Sequence, residues 1–389
     1  MGRNKTLYVI GVFLGVFYMA VYANTQGVLL TEVIRHYSLE SAQKGYMNSA
    51  YNFGSLIACL SAMFVMGRLT KAKLYAFGLG ASAVCLLVIG LAPAFWALIA
   101  MTFLVGIALG YVDQLGSSIT ADLFSGRRKA QMLCTLHAVF GFAGIVMAPV
   151  TNRLIESGLV WNRVYTFVGG MGLVVTLAFL GAGWERVKGA IEASDAHPLT
   201  KKELWGYIAS NRRILLMLAM SFNTIMCATI SAWLFRYYEL RFDAAAMGAI
   251  VLSVYWVAVT VSRLVTGSLP IRAVPLVKWT GFLTAALLGV GYASKSPYVL
   301  AVTAPLSALL GGATVPIMLS RMSDEAPENT FLTTTIGIFC VYFGQTITPT
   351  IMGALENAWG IQGCMYFGVA AALLQGLVLI PFRDGVQRA

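Results

Sequence analysis

Gly110–Pro149, GYVDQLGSSITADLFSGRRKAQMLCTLHAVFGFAGIVMAP, places one acidic residue, Asp113, inside an otherwise charge-free apolar run. A basic turn follows at Arg127, Arg128 and Lys129, and then a histidine, His137, early in a second apolar run. Read as two antiparallel membrane helices, the stretch puts Asp113 nine residues before Asp122 at the turn and His137 eight residues after Lys129. At about 1.5 Å per residue both groups lie roughly 12 to 14 Å from the turn. A carboxylate and an imidazole at one depth form a candidate proton site.

The rest of the chain supports a membrane setting. It is 58% hydrophobic and 11% charged, with a mean hydropathy of +0.76, whereas soluble domains carry about 25% charged residues. Water-soluble enzyme classes are thereby set aside. The net charge of +11 raises nucleic acid as a partner, but the 27 Lys and Arg are read as lying in short loops between apolar runs, which is a topology signal and not a phosphate-binding one. The lipid bilayer is therefore the expected partner, and nucleic acid is not. The apolar run from Thr6 to Thr31 exceeds a signal-peptide core and shows no small-residue cleavage site, so it reads as a retained helix. Cys59, Cys85, Cys134, Cys227, Cys340 and Cys364 all lie in apolar runs without CxxC pairing and read as small core residues, with no metal or disulfide framework. No Walker loop, HExxH or GxSxG turn is present, so neither an enzyme nor a cofactor is expected.

Apolar runs bounded by charges or turn residues predict an all-α integral membrane fold of twelve spans, at 7–30, 45–66, 74–91, 95–121, 131–152, 163–184, 213–235, 244–268, 274–293, 297–320, 330–355 and 361–382. The third and fourth form one block split at Ala92, Pro93 and Ala94. With the N-terminus inside, 20 of the 27 basic residues fall on the inner side, three of them counted after the eighth span, which predicts an inner (cytoplasmic) membrane protein with both termini in the cytoplasm.

The longest connection, Glu185 to Arg213, holds His197, Pro198, Lys201 and Lys202. It divides the chain into an N-terminal six-helix half at 1–184, a linker at 185–212 and a C-terminal half at 213–389. Gly110 to Pro149 spans 39 residues and Gly311 to Pro349 spans 38, while Ser49, Tyr51 and Arg68 are spaced like Ser253, Tyr255 and Arg272. Such coincidences predict pseudo-symmetric repeats with a substrate site near midplane between them. The counterpart of Asp113 is then Thr314, so a proton site is expected in the first half alone.

Asp113 is the one acidic residue well inside a span, where an unpaired charge costs about 2.5–3.5 kcal/mol on insertion scales, so it should be neutral, paired or beside water. It is either a proton carrier or a hydrogen-bonded lock between helices. His137, Gly141, Gly144 and Ala148 make a small-residue stripe suited to close helix packing. The imidazole in it is open to either packing or proton handling. Candidate substrate-binding amides are Asn24 and Gln26, Asn48 and Asn52, Gln114, Asn223 and Gln345; each is also a candidate for interhelical glue. Tyr51, Phe140, Tyr255, Trp256 and Tyr342 offer flat surfaces for a ring, or simple packing.

Twelve spans in two halves with these local sequences resemble the major facilitator superfamily, and within it the fucose:proton symporter family of sugar permeases. FLVGIALGYVDQLGSSIT is similar to that family's glycines followed by an acidic residue, which gives Asp113 the place of its proton-coupling carboxylate. LHAVFGFAGIVMAP resembles its histidine and Phe-Gly pattern, placing His137, Phe140 and Gly141. WLFRYYE from Trp233 and TITPTIMGALENAWG from Thr346 are similar to the corresponding stretches. The chain departs from the family in three places: Gly27 stands where an acidic residue is usual, Cys227 where a Gln or Glu is common, and Lys71 of GRLTKAK near a usual Asp.

The function expected from these readings is proton-coupled symport of a small polar solute, a sugar or related metabolite, by a monomer working through alternating access. The alternative is a proton-coupled exporter of amphipathic or drug-like compounds, for which the 17 Met would suit an adaptable cavity. A membrane sensor that has lost transport ranks third.

Overall fold

A computed structural model of the chain describes residues 3–39, 46–65, 69–91, 94–182 and 201–382. The elements are α1 (Arg3–Tyr37), α2 (Tyr46–Val65), α3 (Lys71–Ile89), α4 (Phe95–Leu123), α5 (Gly126–Glu156), α6 (Trp161–Gly181), α7 (Lys201–Ile208), α8 (Asn211–Phe242), α9 (Ala245–Ser268), α10 (Ala273–Ala293), α11 (Pro297–Gly311), α12 (Thr314–Glu325) and α13 (Thr330–Val378). In lipid, helices satisfy their own backbone groups, which is why an apolar chain resolves into these elements. Ten stretches among the described residues are long and apolar enough to cross a membrane, α11 and α12 counting together as Pro297–Glu325. The 49-residue α13 turns at Gly360, where φ is 70°, and so holds two crossings. Adding α2, whose Asn and Ser residues dilute its hydropathy, gives the twelve spans.

Several helices outrun the predicted apolar runs. α1 continues to Tyr37 and α8 to Phe242, because packing carries a helix past the end of its hydrophobic stretch: Tyr237 and Tyr238 are fully buried in the extension of α8. The proposed split at Ala92 and Pro93 and the connection from 185 to 200, with His197 and Pro198, lie outside the described residues, while Lys201 and Lys202 open α7. Large apolar side chains such as Phe64, Leu177 and Val302 are exposed on helix faces, a liability in water but the ordinary surface of a protein solvated by lipid.

Packing divides the chain into two compact units. Unit 1 is Met1–Ser125, Val139–Leu199 and Ala326–Phe339; unit 2 is Gly126–Ala138, Thr200–Glu325 and Cys340–Ala389. The core of unit 1 is tyrosine-rich, with Tyr8, Tyr18, Tyr22, Tyr75 and Tyr165 fully buried and the Tyr75 hydroxyl donating to the Val12 carbonyl at 2.7 Å. There α2 crosses α4 at Gly106, where any Cβ would collide with the Tyr51 carbonyl, and Ser55 Oγ donates to the Gly106 carbonyl at 3.0 Å. Unit 2 packs Ile230, Leu234, Tyr237, Leu288, Leu300 and Met365 into one apolar cluster.

Candidate substrate and proton site

Asp113 lies in the unbroken middle of α4 and is 8% exposed. The run GYVDQLGSSIT supplies the small residues that let α4 pass through a packed interior, with Ser117, Ser118 and Thr120 buried beside it. Gln114 is fully buried and its Nε2 donates to the Ala58 carbonyl of α2 at 3.2 Å, a contact of the helix-linking kind. Asn24 donates to the Ala20 carbonyl of its own helix at 2.8 Å and packs against Gly144, so the small stripe on α5 is used for close approach. Gln26 and Asn52 are buried, Asn48 is exposed and Phe140 is half-buried. Gly27, which stands where a carboxylate is usual in the resembled family, is exposed.

The unit boundary passes through α5 between Ala138 and Val139. Unit 1 therefore contains Asn24, Gln26, Asn48, Asn52, Asp113, Gln114 and Phe140. His137 belongs to unit 2, together with Asn223, Tyr255, Trp256, Tyr342 and Gln345.

Within unit 2, Asn223 is the centre of a buried chain. Its Nδ2 donates to Gln375 Oε1 at 3.1 Å, and Gln375 Nε2 donates to the Val277 carbonyl at 2.9 Å. Cys227 Sγ donates to Asn223 Oδ1 at 4.0 Å, and the Tyr255 hydroxyl reaches Cys227 Sγ at 3.7 Å. Cys227 thus occupies a polar position as a weak sulfur link. Trp256 meets Tyr255 edge-on with ring centroids 5.8 Å apart. Tyr342 is buried and Gln345 half-buried.

A charge that the loop count assigns outside the membrane lies inside it. Arg263 sits in α9, five residues before its end at Ser268. Its Nε donates to the Gly312 carbonyl at 3.1 Å and its Nη1 to the His137 carbonyl at 2.6 Å. The sequence explains the first bond: in a helix the Gly312 carbonyl would accept from the N–H of residue 316, which is Pro316 and has none. The carbonyl is left over between α11 and α12, and the guanidinium takes it. Gly312 also permits the crossing, since a Cβ there would lie 2.8 Å from the Val259 Cα. The run VTVSRLVTG, a lone Arg with apolar neighbours on both sides, is the signal that could have revealed this residue.

At two loop ends an acid is paired with a lysine. Lys71, fully buried, lies 2.7 Å from Asp122 Oδ2, and the Thr330 hydroxyl donates to Asp122 Oδ1. Phe331 packs beside the same ammonium, 5.9 Å from ring centroid to Nζ. In unit 2, Lys129 lies 2.7 Å from Asp324. Lys129 and Thr330 are 201 residues apart and Asp122 and Asp324 are 202 apart, so a loop-end Asp meets a side chain at nearly corresponding positions in both halves, a hydroxyl in one and an ammonium in the other. Lys71 thus stands near a usual acid of the resembled family and pairs with an acid on the next helix.

Residues 12–329 match the sequence family described as the Major Facilitator Superfamily. The chain belongs to the Major Facilitator Superfamily. In the outward-conformation crystal structure of FucP, a superfamily transporter, 97% of this chain and 99% of that one superpose with a TM-score of 0.80 at 15% identity, a likeness of fold. Among curated relatives, the chain is 20% identical over 195 residues to a Protein TsgA homolog of Buchnera aphidicola, covering 50% of this chain and 49% of that one. It is 23% identical over 199 residues to the probable galactarate/D-glucarate transporter GudP of Escherichia coli, covering 50% and 42%. The chain spans about half the length of the curated relatives it matches. Superfamily membership agrees with the twelve-helix, two-repeat reading and with the resemblance drawn from Asp113 and the stretch around His137.

Proposed function

We propose that this superfamily member is a secondary active transporter that carries a small polar solute, a sugar or related metabolite, with a proton by alternating access of the halves at 1–184 and 213–389. The observation that carries this reading is Asp113, a buried acid inside an apolar helix, because intramembrane carboxylates are retained for ion or substrate handling. Protonation of Asp113 from one side and its release to the other would couple the gradient to solute movement. His137 would tune or relay that proton, and the amides and aromatics of the two units would take the solute's hydroxyls and ring faces. The excess of Lys and Arg on one set of loops supports cytoplasmic termini in an inner membrane, and the chain is proposed to work as a monomer.

The test is uptake into proteoliposomes under an imposed inward proton gradient. Wild type accumulates its solute, whereas Asp113→Asn loses accumulation but keeps solute exchange. Unchanged accumulation in the mutant overturns the coupling role of Asp113.

A further inference from the structure

α7, KKELWGYI, is the one described helix too short to span, and the transport reading gives it no part. From Lys201 to Arg213 the sequence holds four basic residues and one acid. A helix of 8 residues does not persist in water by itself, so tertiary contacts must hold it. Tyr207 is buried, and the Arg213 guanidinium of α8 stacks on its ring with Cζ 4.0 Å from the centroid. Arg213 Nη1 also donates to the Tyr207 carbonyl at 3.4 Å. These contacts pin one side of α7 to the start of α8.

The other side is turned out. Lys202 and Trp205 stand three residues apart and share a helix face. Lys202 is exposed, Trp205 is 72% exposed, and Gly206 and Ala209 beside it are exposed as well. The arginines that follow are engaged within unit 2, Arg213 on Tyr207 and Arg212 with Glu325 at 3.3 Å. Ile214 and Leu218, four apart on α8, are 36% and 40% exposed, and apolar side chains exposed on a spanning helix face acyl chains. Only Ala209 and Ser210 separate α7 from a helix whose first turn already faces lipid, so the Lys202 and Trp205 face stands at headgroup level. Indoles gather at that level, and ammonium groups there meet phosphates.

We infer that α7 is a fixed interfacial helix that binds anionic phospholipid headgroups through Lys202, with Trp205 seated at the acyl boundary. Charge selects the partner, since an anionic headgroup attracts an ammonium group and a zwitterionic one has no net charge to offer. Tertiary contacts order α7 before any lipid arrives, so docking costs little conformational entropy and a small surface suffices. The inference is independent of which solute is carried.

Trp205 reports on its own surroundings. The full chain and its Trp205→Phe variant are reconstituted in phosphatidylcholine vesicles with and without phosphatidylglycerol, and the difference between their emission spectra isolates one indole of the eight. That difference is expected to be quenched by lipids brominated on the acyl chain and shielded from aqueous acrylamide. Brominated phosphatidylglycerol diluted in plain phosphatidylcholine should quench it more than brominated phosphatidylcholine at the same fraction. Lys202→Gln should lower this preference roughly fivefold, the worth of one lysine near an anionic surface, while Lys202→Arg keeps it. High salt should weaken it, because exposed charges are screened. Both side chains are exposed, so the variants should melt with wild type. Acrylamide quenching of Trp205 in vesicles, equal quenching by the two brominated lipids, or an undiminished preference in Lys202→Gln overturns the inference. Loss of the preference on adding inorganic phosphate at constant ionic strength also overturns it, because the site then takes a free phosphate and not a lipid.

Discussion

Lys71 Nζ and Asp122 Oδ2 are 2.7 Å apart with side chains 0% and 6% exposed, whereas Arg236 and Glu356, also 2.7 Å apart, are 51% and 19% exposed. Equal distances conceal unequal energetics. Removing one member of a buried pair strands the other charge, at about 3–5 kcal/mol, while exposed pairs are typically worth about 0–1 kcal/mol. Lys71→Met is therefore expected to lower the melting temperature sharply and Glu356→Gln to change it little. Lys71→Met combined with Asp122→Leu should recover much of the loss, because it leaves no stranded charge. Thermal melting of the three variants in one detergent checks this, and equal effects of the two single substitutions would contradict it.

The buried chain Asn223, Gln375 and Val277 predicts a second stability effect. Asn223→Ala leaves Gln375 Oε1 without its donor, at about 1–3 kcal/mol for a buried polar group. Asn223→Leu with Gln375→Leu should cost less than the sum of the single changes, as coupled neighbours do. The same variants measured for solute KM decide whether Asn223 also touches substrate: an unchanged KM in a folded Asn223→Ala protein assigns it to packing alone.

At the crossing of α2 and α4 the expected effect is steric. Gly106→Val drives a side chain against the Tyr51 carbonyl and should destabilise by about 1–3 kcal/mol, the usual range for overpacking. Gly170→Val on α6 has open space within 4 Å and should melt close to wild type. The comparison of the two melting temperatures isolates the collision from the general effect of replacing a helical glycine.

His137 offers a way to separate backbone from side chain. Arg263 bonds its carbonyl, which His137→Gln retains, so the variant should fold with little change in melting temperature. If the imidazole handles protons, its removal alters the pH profile of gradient-driven uptake. A folded variant with an unaltered profile would confine His137 to packing.

Asp113 was legible from the sequence because one acid in a charge-free run stands out against a hydrophobic background. The duplicated halves were legible from the matched spacings around Gly110 and Gly311. Arg263 was not, since five residues from a span end it counts as readily with the loop charges as with the helix. Its meaning depends on Pro316, which is distant in sequence and supplies a carbonyl that only folding brings within reach. Gln375 was missed for a similar reason: a lone amide in an apolar run has no value until its partners on other helices are known.

The amino-acid sequence by itself determined that the chain crosses the membrane as helices, how many times, and that one acid is buried among them. Hydrophobicity and charge are local properties, and lipid admits few backbone conformations. Only the tertiary structure decided which polar groups meet: that Lys71 neutralises Asp122, that Asn223 is tied to Gln375, and that the Arg263 guanidinium meets the carbonyls of Gly312 and His137. Those partners are set by helix packing across scores of residues, where spacing along the chain carries no distance information.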